Sequence, residues 1–270
     1  MKNNLPNFLI IGPPRTGTTW LHNMLCTFPG IYLPHEKQIH FFDENFDKGL
    51  SWYRSFFKLA NVNDCIGEIT PDYIGNKNVL KNIKETLPSL KIVIIYRDPV
   101  ERAYSHYRVR KRAKFYGDKS FSDVFEEDDY LMNNSLYGLH ASHLVELFPS
   151  ENLLIIDHDS LSKHPQLALD EIALFIGVSA CTVNDDHLLK RYSKSLSESR
   201  WFLLDRAIVS VARFLSSSVS FFRPPIVLYF LRKYYRKIRS LNSTPNIETD
   251  CSISSISKNK IDNDLIKFNQ

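Results

Sequence analysis

The segment FLIIGPPRTGTTWL carries the residues with the clearest chemistry. Gly12 and Gly17 stand in a GxxxxG spacing between an apolar run and a helix-like stretch, which is the spacing of a phosphate-binding loop. Backbone N–H groups of such a loop point at anions, and the following helix adds about half a positive charge at its N-terminus. The hydroxyls of Thr16, Thr18 and Thr19 supply further donors. A nucleoside-triphosphate loop places Lys directly after its second glycine, where it reaches the β- and γ-phosphates; here that residue is Thr18. The loop cation is Arg15 instead. An arginine there can hold the oxygen that bridges a phosphate and a group in transfer, stabilising the charge that develops as the bond breaks.

These residues must be positioned by a strand, a loop and a helix. Apolar runs at Phe8–Ile11, Lys91–Tyr96 and Asn152–Asp157 read as buried strands, with helical spacing between them, and that alternation predicts a parallel sheet. Trp20, Leu21, Met24, Leu25 and Phe28 recur at helical intervals until Pro29-Gly30. Asp98 and Pro99 sit where an N-cap and first helical residue belong, so YRDPVERAYSHYRVRKR reads as a strand end turning into a helix. Pro165–Ile176 reads as an amphipathic helix closed by Gly177 and following the third strand directly. The expectation is an α/β fold, a P-loop NTPase-like parallel sheet flanked by helices with a mostly helical C-terminal part.

Composition narrows the function classes. At 270 residues, 43% hydrophobic and 24% charged, the chain matches ordinary globular usage and fits one domain. A net charge of +4 suits an anionic small ligand and falls short of a dedicated nucleic-acid binder. The cysteines at 26, 65, 181 and 251 form no CxxC pair, which argues against a zinc ribbon or a disulfide framework. With no signal-like h-region at the N-terminus, the expectation is a cytoplasmic protein. In the stretch WFLLDRAIVSVARFLSSSVSFFRPPIVLYFL, Asp205, Arg206, Arg213 and Arg223 interrupt the apolar run, so it reads as core-packing helices rather than a membrane span. Residues 242–270, rich in Ser, Asn, Thr and Lys, read as a weakly ordered tail.

PPRTGTTWL resembles the 5′-phosphosulfate-binding loop of sulfotransferases, with Arg15 where most members carry Lys. On that resemblance Pro14, Arg15, Thr16, Gly17, Thr18, Thr19 and Trp20 hold the donor 3′-phosphoadenosine-5′-phosphosulfate. IVIIYRDPVERAYSHY resembles the family's 3′-phosphate-binding strand and helix, which assigns Arg97 and Ser105 to that phosphate. The likeness continues through KQIHFFDENFDKGLSWYRSFF, GEITPDYI, YGLHASHLVELFPSENLLIIDHDSL and LDEIALFIGV, in the order of heparan sulfate sulfotransferases and related bacterial enzymes, and covers roughly residues 7 to 178. YSKSLSESR is a weak match to the late loop that closes over the nucleotide, with Lys194 and Arg200 as its cations. The resemblance implies a sulfotransferase domain over 1–241, transfer to a hydroxyl or amine of a small-molecule or saccharide acceptor, the 3′,5′-bisphosphate as product, and no metal. A sulfuryl group carries one fewer negative charge than a terminal phosphoryl group, so less counter-charge is needed and donated hydrogen bonds suffice.

A hydroxyl acceptor needs a base opposite the leaving phosphate. The family's KE-x-HFF pattern places a glutamate there; this sequence has Gln38, which cannot be a base at neutral pH. His40, Glu36 and Glu68 remain as substitutes, with His40 first because its ordinary pKa suits proton removal near neutrality. With an amine acceptor, Gln38 would orient the nucleophile. Phe41, Phe42, Trp52, Tyr53 and Tyr73 fit an acceptor pocket or, more commonly, a core. His140 and His143 share a helical face without a third metal ligand. Asp157-His158-Asp159 reads as a polar loop, and Arg108, Arg110, Lys111, Arg112 and Lys114 as an anion-guiding or solvated helix face. Two other classes stay open: a P-loop kinase, and a nonenzymatic nucleotide-binding module.

Overall fold

A computed structural model of the chain describes residues 4–183 together with residue 188. The expected segments at 201–231 and 242–270, and Lys194 and Arg200, lie outside the described residues. The chain divides into two compact units; residues 4–97 and 146–183 belong to the first, and residues 98–145 to the second.

The first unit is built on five strands, β1 (Phe8–Ile11), β2 (Ile31–Tyr32), β3 (Cys65–Ile69), β4 (Lys91–Tyr96) and β5 (Leu153–Asp157). They lie in the order β2-β3-β1-β4-β5, and every neighbouring pair is parallel. Every residue of β1 is buried, as are the last five residues of β4, which is why both read as unbroken apolar runs: a parallel strand covered on both faces has no polar side. Around the sheet run α1 (Thr18–Leu25), α2 (Phe41–Glu44), α3 (Gly49–Arg54), α4 (Lys77–Thr86), α9 (His158–Lys163) and α10 (Pro165–Ile176). One core joins Leu21, Met24 and Leu25 of α1 to Ile10, Val93, Ile156, Leu169 and Ile172.

The second unit contains α5 (Pro99–Arg112), α6 (Phe121–Glu127), α7 (Asp129–Asn133) and most of α8 (Tyr137–Leu147). Asp98 caps α5 as its sequence predicts, its carboxylate accepting from the amides of Val100 and Glu101 at 3.0 and 2.9 Å. Ser120 and Asp123 form a reciprocal capping box on α6. Tyr107, Val124, Phe125 and Leu131 make a separate small core, beside which the fully buried Arg102 donates to the Leu131 carbonyl and the Ser135 hydroxyl.

The structure corrects three expectations. Strands β2 and β3 join the predicted three, one being only two residues long and the other carrying Gly67 and Glu68 within its run. α10 does not follow β5 directly, because α9 intervenes. Asp157-His158-Asp159 is a helix start, not a loop: the Asp157 carboxylate accepts from the Asp159 amide. Among the described residues no helix is long and apolar enough to cross a membrane.

The β1–β3 pairing depends on a missing side chain. Gly67 lies opposite Phe8 in the register, and a Cβ at Gly67 would stand 2.1 Å from Cζ of the wholly buried Phe8 ring. Gly67→Ala is therefore expected to destabilise the fold by about 1–3 kcal/mol, as overpacking does, read as a lowered midpoint in chemical denaturation; an unchanged midpoint contradicts the packing described.

Candidate active site

The loop after β1 and the end of β4 lie at the C-terminal edge of the sheet. Chain order reverses here, with β3 on one side of β1 and β4 on the other, and open α/β sheets bind ligands at such a point. Gly12 opens the loop at φ 147, and a Cβ there would meet the Ile95 carbonyl oxygen at 2.4 Å, so the loop leaves β1 pressed against β4. Arg15 follows at φ 79, a left-handed conformation unusual for a side-chain-bearing residue, and Gly17 at φ 93 leads into α1. No side chain caps α1 and no acidic residue occupies its first turn. Its N-terminal amides therefore keep their affinity for an anion. Thr16 is fully buried, and its Oγ1 has no hydrogen-bond partner among the described residues. An orphaned buried hydroxyl costs about 1–3 kcal/mol, which an anion in the loop would recover.

Pro14 and Arg15 are half-buried in this loop, Thr18 is buried and Thr19 exposed at the start of α1, and the Trp20 indole donates to the Leu188 carbonyl at 3.3 Å. The ring of His158, first residue of α9, lies against Gly17.

The lysine absent from the loop arrives from elsewhere. Lys37 Nζ donates to Thr18 Oγ1 and Thr19 Oγ1, both at 3.2 Å. Burial pushes the Lys37 ammonium down to about 8; Asp72 opposes this and Arg15 adds to it. Burial likewise lowers Arg15 from the ordinary arginine value, with Arg97 contributing. Sequence reasoning missed Lys37 because it lies 19 residues from Thr18 in a segment read only for a proton acceptor. The available signal was the loop's own deficit, a Thr where a Lys belongs.

Lys37 leads directly into the residues expected on the acceptor side. Gln38 is exposed at φ 63, its amide donating to the Ile69 carbonyl at 3.1 Å, and Glu36 is exposed beside it. His40, at φ 52, precedes α2 and is partly exposed; its Nδ1 is 2.9 Å from Asp43 Oδ2 and 3.9 Å from Glu44 Oε1. Burial pulls the imidazole pKa down, but Asp43, with help from Glu44 and Asp72, outweighs it, so His40 titrates above the ordinary histidine value. The bond to Asp43 occupies Nδ1 and leaves Nε2 as the second ring nitrogen.

Glu68 is not placed to act as a base. It is 1% exposed, and its carboxylate accepts from the hydroxyls of Thr70 at 2.6 Å, Tyr73 at 2.8 Å and Tyr53. Burial raises its pKa and the three hydroxyls oppose that. Phe41, Phe42, Tyr53 and Tyr73 likewise prove to be core; Phe41 stacks on Tyr53 with centroids 4.2 Å apart, and only Trp52 of the five retains partial exposure.

Arg97 follows directly after β4 in the first unit. Ser105, its expected companion, belongs to the second unit, where it is buried on α5. His140 is also buried, its pKa pushed to about 3 by burial above all, with Arg102 and His143 adding to it. Among the described residues the one close set of three potential metal ligands is His40, Asp43 and Glu44. Arg108, Arg110, Lys111 and Arg112 form the basic end of α5.

Comparison with known proteins gives this arrangement a context. Bifunctional heparan sulfate N-deacetylase/N-sulfotransferase 4 of Mus musculus is 31% identical over 198 residues, 66% of this chain and 23% of that protein. This chain thus spans less than a quarter of that relative's length. Heparan sulfate glucosamine 3-O-sulfotransferase 5 of Mus musculus is 27% identical over 252 residues, 87% of this chain and 70% of that protein. A crystal structure of a sulfotransferase from Alicyclobacillus acidocaldarius shares the fold, with a TM-score of 0.62 and 24% identity over 75% of this chain and 93% of that one. The family described as "Sulfotransferase domain" matches residues 5–218, which takes in the loop, the Lys37–His40 segment and every strand of the sheet. This chain belongs to the sulfotransferase domain family.

Proposed function

We propose that the chain transfers a sulfuryl group from 3′-phosphoadenosine-5′-phosphosulfate to a hydroxyl or amine of a saccharide or small-molecule acceptor. The observation that carries this reading is the supply of cations to the phosphate loop: Arg15 stands in the loop, Lys37 Nζ donates to the hydroxyls of Thr18 and Thr19 at 3.2 Å, and Arg97 directly follows the neighbouring strand β4. Cations brought to such a loop complement the charge of a phosphate. Around those cations stand the N-terminal amides of α1 and the orphaned Thr16 hydroxyl, which suit phosphate oxygens.

In the proposed reaction the acceptor's nucleophile attacks sulfur, and the bond between sulfur and the 5′-phosphate oxygen breaks. Arg15 and Lys37 stabilise the charge that collects on the leaving phosphate. A hydroxyl acceptor's proton passes to Nε2 of His40, whose imidazolium Asp43 stabilises. Arg97 supplies charge for the 3′-phosphate. The side-chain cations and amides supply the counter-charge, so the proposed reaction needs no metal. Saccharide acceptors are favoured by the heparan sulfate names of the relatives, and the exposed carboxamide of Gln38, on a backbone held by the Ile69 carbonyl, suits the placing of an amine nucleophile. A panel comprising a free-amine glucosamine oligosaccharide, its N-acetylated counterpart and a simple phenol, offered with labelled donor, distinguishes the acceptor classes.

Calorimetry should find 3′-phosphoadenosine-5′-phosphate binding without magnesium; magnesium-dependent ATP binding with no affinity for the bisphosphate would replace this reading by a kinase. Arg15→Ala should lower turnover about 100-fold, the ~3 kcal/mol typical of a lost oxyanion donor, and undiminished turnover removes its assigned role. The depressed Lys37 pKa adds a pH signature. Anion binding favours the ammonium, which the free protein loses as pH rises through about 8. Affinity for the bisphosphate should therefore fall above that pH, by up to about tenfold per unit, and Lys37→Gln should abolish that inflection.

A further inference from the structure

The segment that carries Lys37, Gln38 and His40 is strained in two places and tethered in several. Both Gln38 and His40 hold left-handed backbone without being glycine. Such a conformation is sparsely populated and persists only when its surroundings over-determine it. α2, which begins just after His40, has no side-chain cap of its own. Its first amide, Phe41 N–H, donates instead to the Tyr73 hydroxyl at 2.8 Å, with the Phe42 amide 3.4 Å from the same oxygen. Tyr73 in turn donates to Glu68 Oε1 at 2.8 Å, and the carboxylate is held by Thr70 and Tyr53. A hydroxyl that donates to a carboxylate becomes a better acceptor, so each bond of this buried chain strengthens the next. The edge of the Tyr73 ring also meets the His40 imidazole, with centroids 6.5 Å apart and planes at 84°.

We propose that Tyr73 is a positioning residue for His40, acting through the peptide between His40 and Phe41, with Glu68 as its fixed anchor. The proposal rests on the reading of His40 as proton acceptor given above. If the Phe41 amide turns, the His40 backbone leaves its left-handed well, and Nδ1 moves off Asp43, three residues along the same short helix. Asn45 holds the same peptide from the other side, its Nδ2 donating to the carbonyls of His40 at 2.9 Å and Ile39 at 3.2 Å. Glu68 and Tyr73 thus contribute to catalysis without reaching the reacting atoms.

Tyr73→Phe removes the hydroxyl and keeps the ring. Its effect is read by NMR titration of the His40 imidazole, by calorimetry with 3′-phosphoadenosine-5′-phosphate, and by labelled-donor turnover with an acceptor from the panel above. The expected result is a His40 pKa that falls as the Asp43 contact loosens, since Asp43, Glu44 and Asp72 are the charges that raise it. Turnover should drop about tenfold, with bisphosphate affinity within twofold of wild type. A variant with wild-type turnover and an unaltered His40 titration overturns the proposal, as does one that loses bisphosphate affinity and turnover in equal measure. Should Tyr73→Phe fail to fold, Asn45→Ala loosens the same peptide from the less buried side and must shift the His40 titration in the same direction. His40→Gln separates the two readings: full turnover there removes the base assignment, whereas the titration in Tyr73→Phe reports on positioning whichever group takes the proton.

Discussion

Like charges held together are the constraint on which the site depends. Burial lowers the proton affinity of Arg15 and of Lys37, Arg97 adds to the effect at Arg15, and at Lys37 Asp72 opposes it while Arg15 adds to it, so these cations stand together only where rigid elements hold them. Enforcement comes from the sheet. β1 and β4 are buried neighbours, the loop leaves β1 against the Ile95 carbonyl, and Arg97 comes immediately after β4. The buried core beneath therefore fixes where Arg15 and Arg97 leave the sheet.

Much of this was legible in the sequence because the physics is local. Phe8–Ile11 and Lys91–Tyr96 read as strands because both faces are covered, and Asp98-Pro99 announces a helix through its own capping bonds. The loop's glycines and threonines state their purpose through spacing. What stayed hidden is non-local. Lys37 reaches Thr18 and Thr19 only after β2, β3 and the connections between them have folded. β3 escaped notice because Gly67 and Glu68 break its apolar run, and α9 because HDSLSK is short and polar. Glu68 reads as a titratable group near the chemistry, and only the fold shows three hydroxyls already bound to it.

The two sides of the site are built differently. Arg15 and the threonines sit on a loop and helix start anchored by the sheet, where rigidity comes from packing. Lys37, Gln38 and His40 sit on a strained segment between β2 and α2, stabilised by hydrogen bonds to backbone amides and carbonyls. A segment held this way can diverge in sequence while keeping its course, because most of its tethers run through main-chain atoms. That suits Gln38, which is held through the bond from its amide to the Ile69 carbonyl whatever its side chain.

Phe8 and Gly67 act together as a ratchet tooth and its notch. Because strand side chains alternate faces, sliding β1 along β3 by one residue would turn the ring out of its notch, and sliding by two would drive it against a strand position that bears a side chain. Each step also moves the chain by about 3.3 Å, more than a hydrogen bond tolerates. The phosphate loop is the direct continuation of β1, and Glu68 and Tyr73 lie on or just after β3. A single aromatic ring in an empty socket thereby gauges the offset between the phosphate loop and the buried Glu68–Tyr73 chain.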